Sequence, residues 1–305
     1  MSKRVMSAGS HRAGILPALL ALAFLAVSCS GDGHGPSPAP SPSASAASIF
    51  KQNRLVIGVK NDQPGTSVWS EYKRTGFDIL VARRAAGAEG LAVNKIAFND
   101  LSSDDRVPAL KDGRVDLVVA TFSITDERQR DIDFVGPYAV TRQGFMVRKG
   151  SPAVRSVDDL AGKPVCAWTG TTSLDVLRNQ YPKIHTQELA DAQSCISALR
   201  TGSVFAVSTD QLILHGFAHL DPSLVVVPDV TVGAPNRYGI GIGKAHRADC
   251  LDLAKKFAEY VGSSDWVEDF KQSFPDLTAG DAWTAFQPKP QQVTAMSCSD
   301  ASAAK

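Results

Sequence analysis

Apolar side chains run almost unbroken through residues 55–59, 116–120, 164–167, 204–207 and 223–227, the pattern of strands buried on both faces. Between these runs, residues 78–87, 105–112, 173–180 and 192–202 carry apolar positions at helical spacing. Cys250, Ala254, Phe257 and Val261 fall on one face of a helix that closes the folded region. Strand–helix alternation of this kind predicts an α/β architecture of mostly parallel sheets covered by helices. In such sheets ligands bind beyond the carboxyl ends of strands, where helix N-termini point. Residues 238–244 read Tyr-Gly-Ile-Gly-Ile-Gly-Lys and invite a phosphate-loop reading. Strict Gly/Ile alternation has the period of a strand instead, so this segment is expected to be a core or hinge-proximal strand with a closely approached glycine face.

The beginning of the chain follows a different grammar. Lys3, Arg4 and Arg12 form a basic start, and residues 14–27 are an apolar run. The run is too short for a bilayer, which needs about 18–20 apolar residues, but it suits a secretory signal over residues 1–28. Ala26 and Ser28 precede Cys29 in a pattern that resembles a bacterial lipobox, with Ala26 where Leu is usual. Cys29 is therefore expected to be acylated; a plain signal peptide with an incidental cysteine is the alternative. Residues 30–48 are almost only Gly, Ser, Pro and Ala, so 29–49 reads as a lipidated cysteine plus a flexible tether. Residues 287–305 form a polar tail tied back through Cys298.

Loss of the leader takes the formal net charge from +1 to −2, since Lys3, Arg4 and Arg12 leave with it. That balance gives no electrostatic reason for nucleic-acid binding, and contact with the membrane is expected through the lipid only. Cys166, Cys195, Cys250 and Cys298 remain, an even number in an oxidising compartment, which implies two disulfides with three possible pairings. None has a CxxC neighbour, so a zinc site is not expected. His215 and His219 are four apart on one helix face but lack a third ligand nearby, and a solvated helix surface is the simpler reading. No Ser/His/Asp arrangement supports hydrolysis, and no cofactor is expected.

The most informative stretch is residues 116–138, DLVVATFSITDERQRDIDFVGPY. A strand ending at Ala120 leads through a polar turn to Thr125-Asp126-Glu127, a helix start with a good N-cap and acids in the first turn. Helix amides, the Ser123 hydroxyl and the Arg128 fork would converge on an anion, a carboxylate being the natural guest. The bland alternative pairs Arg128 with Asp126 or Asp131 on a solvated face.

This segment resembles the signature of the polar amino-acid family of bacterial extracellular solute-binding proteins. Residues 55–60, Gly76-Phe77-Asp78, and Pro108-Ala109-Leu110 before Asp116 match as well, so the resemblance spans about residues 55–270. Residues 61–65 with Cys166 and Cys195 look most like actinobacterial glutamate- and aspartate-binding lipoproteins. Leu80 departs from the pattern, where a second acid is usual, but lies outside the expected site. The resemblance implies a type II periplasmic-binding-protein fold, two α/β lobes joined by a two-strand hinge. Lobe 1 is expected over 50–140 plus 237–286 and lobe 2 over 141–236. It further implies that Arg128 clamps the α-carboxylate of a free amino acid with Ser123 and the backbone near Thr121. Thr171 and Thr172 would meet the same carboxylate from lobe 2, and Asp210 would accept the α-ammonium, unless it is a plain helix N-cap. Trp168 and Phe122 are expected to line the pocket or to be core. Lys60, with Arg106 as second candidate, would meet the side chain and favour an acidic amino acid; pairing of Lys60 with Asp62 or Asp78 at the rim is the alternative. The disulfides are expected as Cys166–Cys195, a lobe 2 strand to the helix packed on it, and Cys250–Cys298, the last helix of lobe 1 to the tail. The implied role is a monomeric, lipid-anchored, extracytoplasmic binder, not an enzyme, that delivers glutamate or aspartate to an ABC transporter permease. A sensor subunit signalling to a membrane protein, or a dehydratase-like enzyme on the same fold, are the alternatives.

Overall fold

A computed structural model describes residues 46–301. The leader, Cys29, most of the linker and the last four residues lie outside the described residues. Among the described residues, twelve strands and nine α-helices alternate. The first part carries β1 (Leu55–Val59), β2 (Asp62–Gln63), β3 (Ser67–Ser70), β4 (Lys73–Thr75), α1 (Phe77–Ala88), β5 (Ile96–Asp100), α2 (Arg106–Lys111), β6 (Leu117–Val118) and α3 (Asp126–Asp131). Next come β7 (Ile132–Arg148), β8 (Pro164–Trp168), α4 (Thr172–Gln180), β9 (His185–Leu189), α5 (Ala192–Thr201), β10 (Ala206–Asp210), α6 (Gln211–Leu220) and β11 (Leu224–Val226). The chain then returns through β12 (Val232–Gly243) to α7 (Arg247–Val261), α8 (Ser264–Ser273) and α9 (Pro290–Met296).

The main sheet runs β5-β1-β6-β12-β7-β10-β8-β9, with β11 also on β7. Each half is parallel: β1 with β5 and β6 on one side, β8 with β9 and β10 on the other. The halves are joined by the antiparallel pair β7–β12, whose register runs from Ile132↔Gly243 to Asn236↔Thr141. At about 3.3 Å per residue, the 17 residues of β7 span roughly 55 Å, enough to serve both halves. Its far end pairs with β10 and β11. The two halves are the two lobes of a type II periplasmic-binding fold: lobe 1 carries β1, β5 and β6, and lobe 2 carries β8, β9 and β10. The expected Gly/Ile strand is the hinge-proximal end of β12. Two expected strands differ in extent. Of 116–120 the strand proper is Leu117–Val118, although the Asp116 and Val119 amides also donate to the Val56 and Gly58 carbonyls of β1, and the chain turns at Thr121 (φ 45°). The strand placed at 204–207 lies at Ala206–Asp210, two residues later, so that Asp210 is its last residue.

In lobe 2 the pleat explains the unbroken apolar run of β8. Val165 and Ala167 join one core with Leu174 and Leu177 of α4; Cys166 and Trp168 join the opposite core with Cys195, Ile196 and Leu199 of α5. A strand with helices on both faces has no polar side to show. The structure joins Cys166 to Cys195, with Cα atoms 5.6 Å apart, tying α5 to β8. In lobe 1, Phe77 of α1 makes edge contacts with Trp266 and Phe270 of α8 at ring distances of 5.5 and 5.6 Å. Cys250, Ala254, Phe257 and Val261 all face this core. The tail is more than a tether: α9 buries Val293 in the lobe 1 core, and Cys298 is bonded to Cys250 of α7. Beyond it, Asp300 accepts from Lys244 and Arg247.

Candidate functional site

The carboxyl ends of β6, β8 and β10 converge between the lobes on a narrow cavity. Arg106, Thr121, Ser123 and Arg128 come to it from lobe 1; Trp168, Thr171, Thr172 and Asp210 come from lobe 2. Gln63, Ser103, Ser173, Thr209 and Ile213 complete the wall. All eight residues were expected from the sequence, and the first four and last four meet here across the lobe boundary.

Arg106 and Arg128 share one support and one acceptor. Their guanidinium carbons lie 4.6 and 4.9 Å from the centroid of the Phe122 ring, which packs on Phe134. Arg106 donates to the carbonyls of Ser103, Ala120 and Thr121, and Arg128 to that of Ser123. Each also reaches the Gly170 carbonyl of lobe 2, at 2.9 and 3.1 Å. Gly170 has φ +73°, and a Cβ there would lie 2.4 Å from the Asp104 amide nitrogen, so only glycine permits this approach. Burial, then the neighbouring Arg128, pushes the Arg106 guanidinium down to about 9; burial alone dominates for Arg128, at about 10. Two desolvated cations side by side favour an anion between them.

Asp210 sits opposite in charge. Although it precedes α6, its side chain makes no capping bond. Its oxygens instead accept from Asn236 Nδ2 at 2.6 Å and Tyr238 Oη at 2.7 Å, both on β12. Burial raises its pKa, against the pull of those two hydrogen bonds and of Arg106 and Arg128. Thr171 is the N-cap of α4: its hydroxyl accepts from the Leu174 amide and donates to the Trp168 carbonyl at 2.6 Å. What Thr171 and Thr172 offer the cavity is therefore the start of a nine-residue helix, whose first amides have no intrahelical acceptor. Thr121 donates its hydroxyl to Gln63 Oε1 and its amide to Asp78. Trp168 belongs to both a core and the cavity wall, and among the described residues its Nε1 is buried without a hydrogen-bond partner.

Two expected residues fall elsewhere. Lys60 is buried with its Nζ 3.1 Å from the Leu101 carbonyl and 3.5 Å from Asp62, and it does not line the cavity. A desolvated ammonium takes the nearest carboxylate, here two residues along the same strand edge. Phe122 is core beneath the arginines and does not line the cavity either. Conversely, Gln63, Ser103, Asn236 and Tyr238 were not singled out from the sequence. Tyr238 lies in the noted Gly/Ile strand, but its partner Asp210 is brought to it only by the sheet order. Among the described residues the His215/His219 pair is part of no group of three or more potential metal ligands, and His219 Nδ1 is 2.9 Å from Asp276.

Comparison with known proteins shows the family to which the chain belongs. Residues 55–289 match the profile of bacterial extracellular solute-binding proteins, family 3. A glutamine-binding protein of Geobacillus stearothermophilus is 33% identical over 67% of this chain and 78% of its own length. The glutamate-binding protein GluB of Corynebacterium efficiens is 31% identical over 64% of this chain and 69% of its own. Among solved structures, an ancestral arginine-binding protein bound to glutamine superposes with a TM-score of 0.67 at 26% identity, covering 73% of this chain and 98% of that one.

Proposed function

Because this chain belongs to family 3 of the bacterial extracellular solute-binding proteins, the amino-acid-binding receptors of ABC importers, we propose that its ligand is a free acidic amino acid, glutamate or aspartate. The observation that carries the reading is the charge lining the cavity: Arg106 and Arg128 against Asp210, a surplus of one positive charge. A neutral zwitterion leaves that surplus buried; an amino acid with a second carboxylate cancels it.

In this reading Arg128, Ser123 and the α4 amides at Thr171 and Thr172 take the α-carboxylate, while Asp210 takes the α-ammonium. Hydrogen bonds to a charged acceptor are about twice as strong as neutral ones, so a carboxylate displaces the Gly170 carbonyl as partner of the guanidiniums. Arg106 then meets the side-chain carboxylate, the part earlier expected of Lys60, and Trp168 Nε1 donates to the same ligand. The hinge is at Thr141 and Asn236, where β7 passes from β12 to β10. The chain works as a monomer held at the membrane by acylated Cys29, outside the described residues.

A glutamine ligand is the second reading, favoured by the 33% identical glutamine-binding protein of Geobacillus stearothermophilus. A thermal-shift panel of the twenty amino acids decides: the proposal expects the largest stabilisation from Glu or Asp. A panel led by Gln, or by a basic amino acid, would overturn it.

A further inference from the structure

Lys60 was expected to read the ligand or to pair with Asp62 or Asp78 at the rim, and the surroundings of Lys60 and Asp62 point to another task. Asp62 belongs to lobe 1, yet its Oδ2 accepts from the Ala192 amide, the first residue of α5 in lobe 2, at 3.2 Å. Asp191 caps the same helix through the Ser194 amide at 2.7 Å, so Asp62 satisfies a second free amide from across the cleft. A carboxylate there also meets the positive end of a ten-residue helix. Lys60 holds Asp62 in place from behind: it is 3% exposed at the side chain, is fixed to the Leu101 carbonyl, and lies 3.5 Å from Asp62 Oδ1. The helix so gripped is not free to drift. Cys195, on its first turn and a half, is bonded to Cys166, two residues before the cavity residue Trp168. Close packing alongside leaves little slack, since a Cβ on Gly216 of α6 would lie 1.8 Å from the Pro64 carbonyl.

We propose that Asp62, oriented by Lys60, is a cross-lobe latch that grips the N-terminus of α5 when the lobes are together and so sets how long the bound amino acid is held. Both are positioning residues; neither touches ligand. The latch rests on the binding of an amino acid between the lobes, but not on which one. Opening the lobes breaks the bond to Ala192, and removing the latch leaves every residue that would contact ligand on either lobe unchanged. Its loss therefore lowers affinity for all ligands by one factor and acts on dissociation. A hydrogen bond to a charged group of this exposure corresponds to about a tenfold effect.

The test is stopped-flow and calorimetric binding of Glu, Asp and Gln to wild type, Asp62→Ala, Asp62→Asn and Lys60→Met, each first checked for an unchanged circular dichroism spectrum. The latch predicts that Asp62→Ala weakens every ligand about tenfold through faster release, with association rates and ligand ranking unchanged. Asp62→Asn, which keeps an oxygen acceptor, should recover part of the loss, and Lys60→Met should resemble a milder Asp62→Ala. Affinities within twofold of wild type would overturn the latch, as would a loss confined to association. A changed ranking in Lys60→Met or Asp62→Ala would overturn it in favour of direct ligand contact. The wild-type ranking separately tests the acidic preference, so the two ideas fail in different measurements.

Discussion

Each lobe buries one aspartate against a tyrosine of the hinge strands, and the two sites differ in a single respect. In lobe 1, Asp78 accepts from Tyr138 Oη at 2.8 Å on β7; in lobe 2, Asp210 accepts from Tyr238 Oη at 2.7 Å on β12. The two tyrosine rings lie 5.9 Å apart, and burial raises both aspartates. Asp78, however, spends its other oxygen on the backbone amide of Thr121, at 2.8 Å, and does not line the cavity. Asp210 has side-chain partners only, Asn236 beside Tyr238, and does line it. The same acid and the same donor thus give a brace in one lobe and a cavity-lining carboxylate, the proposed ligand acceptor, in the other. Asp78 holds the left-handed turn at Thr121, from which Ser123 and Arg128 depart; Asp210 presents its charge to whatever enters.

This comparison is most strongly exposed by removing charge. Arg128→Ala should cut amino-acid affinity about 30- to 5000-fold, the range for removing one partner of a desolvated charge pair. Asp210→Asn should cost roughly 10- to 150-fold, because the amide keeps the shape but not the charge. Both proteins should melt within a few degrees of wild type, as measured by calorimetry. Binding within threefold of wild type in either would break the assignment of that residue.

Asp78→Asn should do the reverse, keeping the ligand ranking while changing stability. Asp78 titrates near 7, raised by burial against the bonds from Tyr138 and Thr121. The native state therefore holds a proton that the unfolded chain releases near 4. Its contribution is fully present below about pH 4 and is lost as pH rises through about 7. The stability difference between wild type and Asp78→Asn should fall across that window, by at most ~4 kcal/mol, and then stay level. Denaturant titrations from pH 4 to 8 measure it. A difference that rises with pH would mean that Asp78 is held ionised, and the brace would need another account.

The distinction between the two aspartates was only half legible in the sequence. Asp210 could be read as a strand-to-helix residue, because the ends of parallel strands are where α/β proteins place their ligands. Asp78 was noted in Gly76-Phe77-Asp78 as a mark of resemblance and as an alternative rim partner of Lys60, not as a brace. Its partners Tyr138 and Thr121 are far along the chain and only the folded sheet brings them to it. Strands buried on both faces, β1 and β8, were visible as apolar runs. The long hinge strand β7 was not, since Asp133, Gly136, Pro137, Thr141 and Gln143 interrupt its pattern as it crosses from one core to the other. Edge strand β9, His-Thr-Gln-Glu-Leu, was hidden by its polar face. Lys60 was read as reaching the cleft because it follows β1 directly; its direction was decided by Asp62 and the Leu101 carbonyl, a tertiary contact.

A smaller effect sharpens the lobe 2 side. Trp168→Phe keeps an aromatic ring in the core but removes the unpartnered Nε1 donor and part of the buried indole. Affinity should fall about fivefold, the lower end for one hydrogen bond, while the melting temperature of the free protein drops through lost packing. Equal affinity with lower stability would place Trp168 wholly in the core.

The central claim is that the cavity's surplus positive charge selects an acidic amino acid, and competition calorimetry on the wild-type protein with Glu, Asp, Gln and Asn tests it most directly. Desolvating the ligand's extra charge offsets part of the attraction, leaving a margin of ~1–3 kcal/mol. The account predicts that Glu or Asp binds about 5- to 150-fold more tightly than its amide, with the margin collapsing in Arg106→Met. Tighter binding of Gln than of Glu, or a margin untouched by Arg106→Met, would contradict it.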